Sequence, residues 1–149
     1  MTVGTVCNRE VVVVEGDTGI SETAKLMREY HVGNVVVIEV RKGLRCPIGI
    51  LTDRDIVIQL IAKGIDINSV TIDDIMSTNL FIAKENDDVI DTIKLMRQKG
   101  IRRMPVVDEN GGLVGIITLD DLIDLFAEQL RDLADLISRE QQSEMKMRE

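Results

Sequence analysis

The sequence predicts an α+β fold, layered as α/β: two β-α-β-β-α units packed sheet to sheet with pseudo-two-fold symmetry, then an extended C-terminal helix. Three observations carry this. Thr23–Arg28 reads T-A-K-L-M-R and Thr92–Arg97 reads T-I-K-L-M-R, an internal repeat at an offset of 69 residues. Further along, Gly49-Ile-Leu-Thr-Asp-Arg-Asp55 lies on Gly115-Ile-Ile-Thr-Leu-Asp-Asp121 at an offset of 66, so three residues are inserted between Glu39 and Ile48. Finally, each copy runs through the same order of strand and helix patterns.

Each copy opens on a short apolar strand, Val11–Glu15 in the first and Leu80–Lys84 in the second. A helix follows, from near Thr18 and near Asp87. Its apolar positions Ile20, Ala24, Met27 and Val89, Ile93, Met96 recur at helical spacing. Asp87 and Asp88 suit a helix N-terminus electrostatically. A hairpin comes next: Asn34–Val40 with Ile48–Thr52, and Met104–Asp108 with Val114–Thr118. Lys42-Gly43 and Asn110-Gly111-Gly112 supply the turns. A second helix closes each copy, Asp53–Ala62 in the first and from Leu119 onward in the second. Residues 1–66 and 67–137 are thus the two repeats, joined through Gly64–Thr71, and 138–149 is a polar tail expected to fray. One such unit cannot bury both faces of its sheet alone, so the copies are expected to pack on each other.

Composition narrows the function. The 149 residues are 44% hydrophobic and 30% charged, with a formal net charge of −8. That balance argues against nucleic-acid binding, which needs basic clusters. Tyr30, Phe81 and Phe126 are the whole aromatic complement, too few for a base-stacking platform. The longest purely apolar runs, Val11–Val14 and Val35–Ile38, span no bilayer, and no signal-peptide pattern opens the chain. Cys7 and Cys46 read as two thiols of a reducing, cytoplasmic setting. His31, the lone histidine, reads as a helix-end residue, and no multi-histidine metal site exists. No Walker loop or nucleophile–base pair is visible, so the enzyme class fares worst.

The repeated Gly-x-x-Thr-x-x-Asp sits where a strand becomes a helix. Thr52 with Asp55, and Thr118 with Asp121, read as capping boxes. They also fit a nucleotide: a carboxylate accepts two hydrogen bonds from a ribose diol, and a Thr hydroxyl with free helix amides meets phosphate. The two roles need not exclude each other. Gly49 and Gly115 leave room for a ligand or for another backbone. Arg102 and Arg103 are either a solvated strand edge or a planar fork for phosphate oxygens. The acid pairs Asp53/Asp55 and Asp120/Asp121 answer the helix dipole rather than a metal, and no metal is expected.

Over about residues 3–130 this arrangement resembles the tandem CBS-domain pair, the Bateman module. The telling residues are Gly49–Asp55 and Gly115–Asp121, supported by Asp74-Ile-Met-Ser-Thr78 and Ile101-Arg-Arg-Met-Pro-Val-Val-Asp108. The resemblance implies a regulatory module that binds an adenosine-containing ligand (AMP, ADP, ATP or an S-adenosylmethionine-like molecule) in clefts between the repeats. It implies Asp55 and Asp121 as ribose anchors, with Asp121 the first candidate, Thr52 and Thr118 near the phosphates, and Arg102 and Arg103 facing them. It further implies an apolar adenine pocket read by backbone: Ser77–Ile82, including Thr78 and Asn79, with Met104 and Pro105 in the second copy, and Asn8–Val13 with Val35 and Val36 in the first. Gly33 and Asn34 replace the arginines in the first copy, so the two sites are expected to be unequal. Packing of the copies can carry an arginine to a ligand anchored by Asp55, so the sequence does not decide which anchor shares its cleft.

From Leu119 the residues Leu119, Ile123, Phe126, Leu130, Leu133 and Ile137 are spaced 4, 3, 4, 3, 4, a heptad seam that outlasts the domain. With the resemblance it implies a homodimer, against the alternative of a helix folded back on its own core; a regulated partner protein is a further expectation. The competing class is a dimerisation or scaffold protein with no ligand.

Overall fold

The computed structural model describes residues 1–148. The elements run α1 (Val3–Val6), β1 (Val13–Glu15), α2 (Ile20–Tyr30), β2 (Asn34–Arg41), β3 (Leu44–Thr52), α3 (Asp53–Ile56), α4 (Ile72–Ile75), β4 (Ala83–Lys84), α5 (Val89–Lys99), β5 (Arg103–Val107), β6 (Leu113–Thr118) and α6 (Leu119–Arg148). They form two three-stranded sheets of identical topology, β1-β2-β3 and β4-β5-β6. The first pair in each sheet is parallel and the second antiparallel. The fold is the mixed α/β architecture the sequence predicts.

The apolar run of β2 explains the layering. Val35 and Val37 belong to the core beneath the helices of the first repeat, whereas Val36 and Ile38 join Ile116 in a cluster between the two sheets. Alternate residues point to opposite faces of a strand, so a strand buried on both faces must be apolar throughout.

The opening strands are shorter than the sequence reading: Val13–Glu15 for Val11–Glu15, and Ala83–Lys84 for Leu80–Lys84. The hairpin turns place Lys42 at φ 50°, Gly43 at φ 78° and Gly111 at φ 87°. Past Asp53–Ile56 the helix expected over Asp53–Ala62 widens into a π turn at Val57–Ile61, with Ala62 N–H donating to Val57 O at 2.9 Å.

α1 and α4 were not legible as elements, and they stitch the repeats together by exchange. Val3 is wholly buried in the core of the second repeat, with Val89, Met96 and Met104. Ile72 is wholly buried in the core of the first, with Ile20, Leu51 and Leu60. The chain after each short helix then pairs with the opposite sheet: Asn8 bridges Ile116, and Ser77 bridges Ile50. The offsets of 69 and 66 convert one bridge into the other, which expresses the pseudo-two-fold in hydrogen bonds.

α6 corrects the expectation of a frayed tail. The helix is continuous over 30 residues, through the polar stretch to Arg148, roughly 45 Å long. Nothing after Leu119 breaks a helix, the stretch being rich in Glu, Gln, Lys, Arg and Met, and Arg148 pairs with Glu144 one turn back at 3.6 Å. Glu149 lies outside the described residues. Leu122 is the one buried residue of α6.

Candidate ligand-binding clefts between the repeats

The strand-to-helix junctions are built as caps. Thr52 Oγ1 accepts from Asp55 N–H at 3.1 Å, while Thr52 N–H donates to Asp55 Oδ2 at 2.9 Å. Asp55 is half-buried and keeps Oδ1 free of the box. In the second copy Thr118 Oγ1 accepts from Asp121 N–H at 3.2 Å, and among the described residues no bond returns to the Asp121 carboxylate. The glycines of the motif serve a second backbone. A Cβ on Gly49 would lie 3.0 Å from Ser77 O, and one on Gly115 would lie 2.8 Å from Asn8 O. Each glycine admits the exchanged segment of the other repeat.

That crossing builds a composite cleft of about 300 Å³. Thr52 and Asp55 of the first repeat face Ser77, Asn79, Arg102 and Arg103 of the second, and Ile50, Leu80, Phe81 and Ile101 make its apolar part. The arginines therefore share a cleft with Asp55, not with Asp121. Arg102 is solvent-exposed and sits 3.8 Å from Asp120. Arg103 differs: its Nε is buried with no hydrogen-bond partner. A buried guanidinium donor without an acceptor is costly, and an incoming anion removes that cost. Lys99 lies 5.4 Å over the Phe81 ring, adding a cation beside the cleft.

The pseudo-equivalent cleft consists of two hollows that share Asn8. One, about 780 Å³, is lined by Glu10, Val11, Val12, Tyr30 and Val32 among others. The other, about 320 Å³, is lined by Thr5, Val6, Asp121, Asp124, Leu125 and Glu128.

Several residues expected at the sites lie elsewhere. Met104 and Val35 are wholly buried in the cores of the second and first repeats, and Pro105 is buried in β5. Their side chains are taken up by core packing, which leaves only their backbone groups for a ligand. Thr78 is exposed and lines neither cleft; Asn34 and Thr118 are half-buried and line neither. Ile50 and Ile101 line the composite cleft and were missed. Their signal was their place, Ile50 just after Gly49 in the repeated motif and Ile101 just before the arginines.

Among the described residues no group of three or more His, Cys, Asp or Glu is arranged for a metal. Burial pushes the Cys7 thiol up from its ordinary value, against the nearby Arg9, so it carries little of the thiolate that a nucleophile needs. No described helix is long and apolar enough to cross a membrane.

A family model for the CBS domain matches residues 3–62 and again residues 72–128. The chain belongs to the CBS-domain family. Its two CBS repeats are 40% identical over 115 residues to the CBS domain-containing protein YhcV of Bacillus subtilis, covering 76% of each chain. They are 39% identical over 123 residues to the uncharacterized protein MK0525 of Methanopyrus kandleri; that match covers 83% of this chain and 61% of that relative, less than two thirds of its length. Among solved structures the CBS pair resembles that of protein MJ0100 in complex with 5'-methylthioadenosine and S-adenosyl-L-methionine, at TM-score 0.74 and 26% identity, covering 87% of this chain and 98% of that one.

Proposed function

We propose that this CBS pair is a regulatory module that binds an adenosine-containing nucleotide in the cleft of Asp55, Arg102 and Arg103 and passes its occupancy to assembly or to a partner protein. Arg103, whose Nε is buried without a partner and whose side chain lines the same cleft as Thr52 and Asp55 of the other repeat, carries the reading. In it, Asp55 accepts the ribose hydroxyls, the Thr52 cap and the arginines hold the phosphates, and Leu80, Phe81 and Ile101 cover the base. The adenosine ligands of MJ0100 support the choice of nucleoside. A cytoplasmic, non-enzymatic role is part of the reading, and the free, partly buried thiols fit a reducing compartment.

The exposed seam of α6 favours a second reading, a scaffold whose clefts stay empty. Leu130 is 68% exposed and Ile137 59%, well beyond the body of the fold. In the leading reading the same seam pairs two copies as a homodimer.

Thermal melts with adenosine, AMP, ADP, ATP and S-adenosylmethionine separate the two. A ligand at 100 times its Kd stabilises by about 2.7 kcal/mol. The module reading expects such a shift with at least one adenine nucleotide, and its loss in Asp55→Ala. No shift with any of the five leaves the scaffold.

A further inference from the structure

The two clefts are related by the pseudo-two-fold, yet their linings differ in charge. The offsets that superimpose the repeats put Glu10 where the composite cleft has Asn79, Gly33 and Asn34 where it has Arg102 and Arg103, and Tyr30 where it has Lys99. α6 adds Asp124 and Glu128 where the first repeat has Ile58 and Ala62. Of the two hollows on that side, one is lined by Asp121, Asp124 and Glu128 and the other by Glu10, and neither by a cation among the described residues. Arg9 adjoins it in sequence but is turned away: its Nη2 donates to Gly4 O at 2.7 Å and lies 3.8 Å from Glu85. The Asp55 cleft is lined by two guanidinium groups against one carboxylate.

We infer that each chain holds one phosphate-bearing ligand, in the Asp55 cleft, and that the acidic lining of the Asp121 cleft excludes such a ligand. A phosphate entering the Asp121 hollow meets Asp121, Asp124 and Glu128, with Glu10 on the adjoining hollow, and no cation offsets them, whereas beside Arg103 it meets a guanidinium whose Nε is already desolvated. Occupancy therefore breaks the symmetry of the fold: one side responds to the phosphorylated state of the ligand and the other does not. The adenosine part of this statement rests on the proposed function; the sorting by charge does not.

Two ligands separate these parts. Inorganic tripolyphosphate carries the charge without the nucleoside, and ATP carries both. Each is titrated into full-length, isotope-labelled protein and followed by amide shifts, with calorimetry for stoichiometry. Tripolyphosphate is expected to bind once per chain, with shifts confined to Thr52–Asp55, Ser77–Phe81 and Ile101–Arg103. Arg103→Gln should weaken it roughly tenfold or more, the loss typical of a charge-assisted hydrogen bond. Glu10→Asn with Asn34→Arg, verified as folded by its melt, should create a second site. Two wild-type sites of similar affinity overturn the inference, as do shifts centred on Asn8–Val12 and Asp121, or no response to tripolyphosphate in either cleft. A folded double variant that still binds once overturns the electrostatic cause. If ATP binds once, in the same cleft, but no tighter than tripolyphosphate, the inference stands and the adenosine reading falls.

Discussion

The smallest residue of the repeated motif decides how the repeats meet. A side chain at Gly115 would strike Asn8 O, a backbone atom held by its own bonds: Asn8 N–H donates to Ile116 O at 2.9 Å, and Ile116 N–H donates back to Asn8 O at 2.8 Å. Backbone cannot swing aside as a flexible side chain can. Gly115→Ala should therefore cost about 1–3 kcal/mol in a urea melt, the usual range for overpacking. Gly19→Ala, at a site with open space around it, is the control and should change little. Equal melts for the two variants would contradict the close approach. Asp55 shows that one residue can serve both structure and ligand, since its Oδ2 closes the cap while Oδ1 stays available.

At the scale of elements, the exchange of α1 and α4 sets the geometry of both clefts. Val3 N–H donates to Asp87 O and Gly4 N–H to Glu85 O, both at 2.8 Å, so the first residues of the chain are fastened to the second repeat. Val3 is wholly buried there and Thr5, two residues on, is exposed. Val3→Ala should lower stability by about 2 kcal/mol, near the lower end for truncating a buried aliphatic side chain, and should raise amide exchange in α5 and β5. Thr5→Ala should do neither. A melt unchanged by Val3→Ala would mean that α1 is an appendage rather than part of the second core.

Across the whole molecule the unbalanced feature is α6, a 30-residue helix that packs on its own fold only near its start. Its seam residues Ile123, Leu130, Leu133 and Ile137 are exposed, and the flanking Ala127, Gln129, Ala134 and Leu136 carry no charge, so the acidic residues sit away from the seam. A second copy of the chain offers the same uncharged face. Ending the chain after Glu128 should leave each protomer folded and loosen the dimer, read by sedimentation across a concentration series. A full-length protein that sediments as a monomer at every concentration would refute the homodimer.

The sequence by itself determined the repeat, the β-α-β-β-α order, the hairpin turns, the capped strand-to-helix junctions and the CBS resemblance. These signals are local: a period, a Gly at positive φ, a Thr three residues before an Asp. It also supplied the cleft residues Thr52, Asp55, Asn79, Arg102 and Arg103 as types at marked positions. Only the tertiary structure decided which of them meet. The arginines share a repeat with Asp121, and the sequence leaves open which anchor they join; they face Asp55 because the repeats cross. Met104 and Val35 looked the same in sequence as a pocket wall, since an apolar strand residue carries no mark of whether it faces a ligand or a core. The four-residue helices were invisible for a related reason. A single turn has no period to detect, and Val3 gains its burial from residues such as Val89, Met96 and Met104, far along the chain, through contacts that exist only once the two halves have packed.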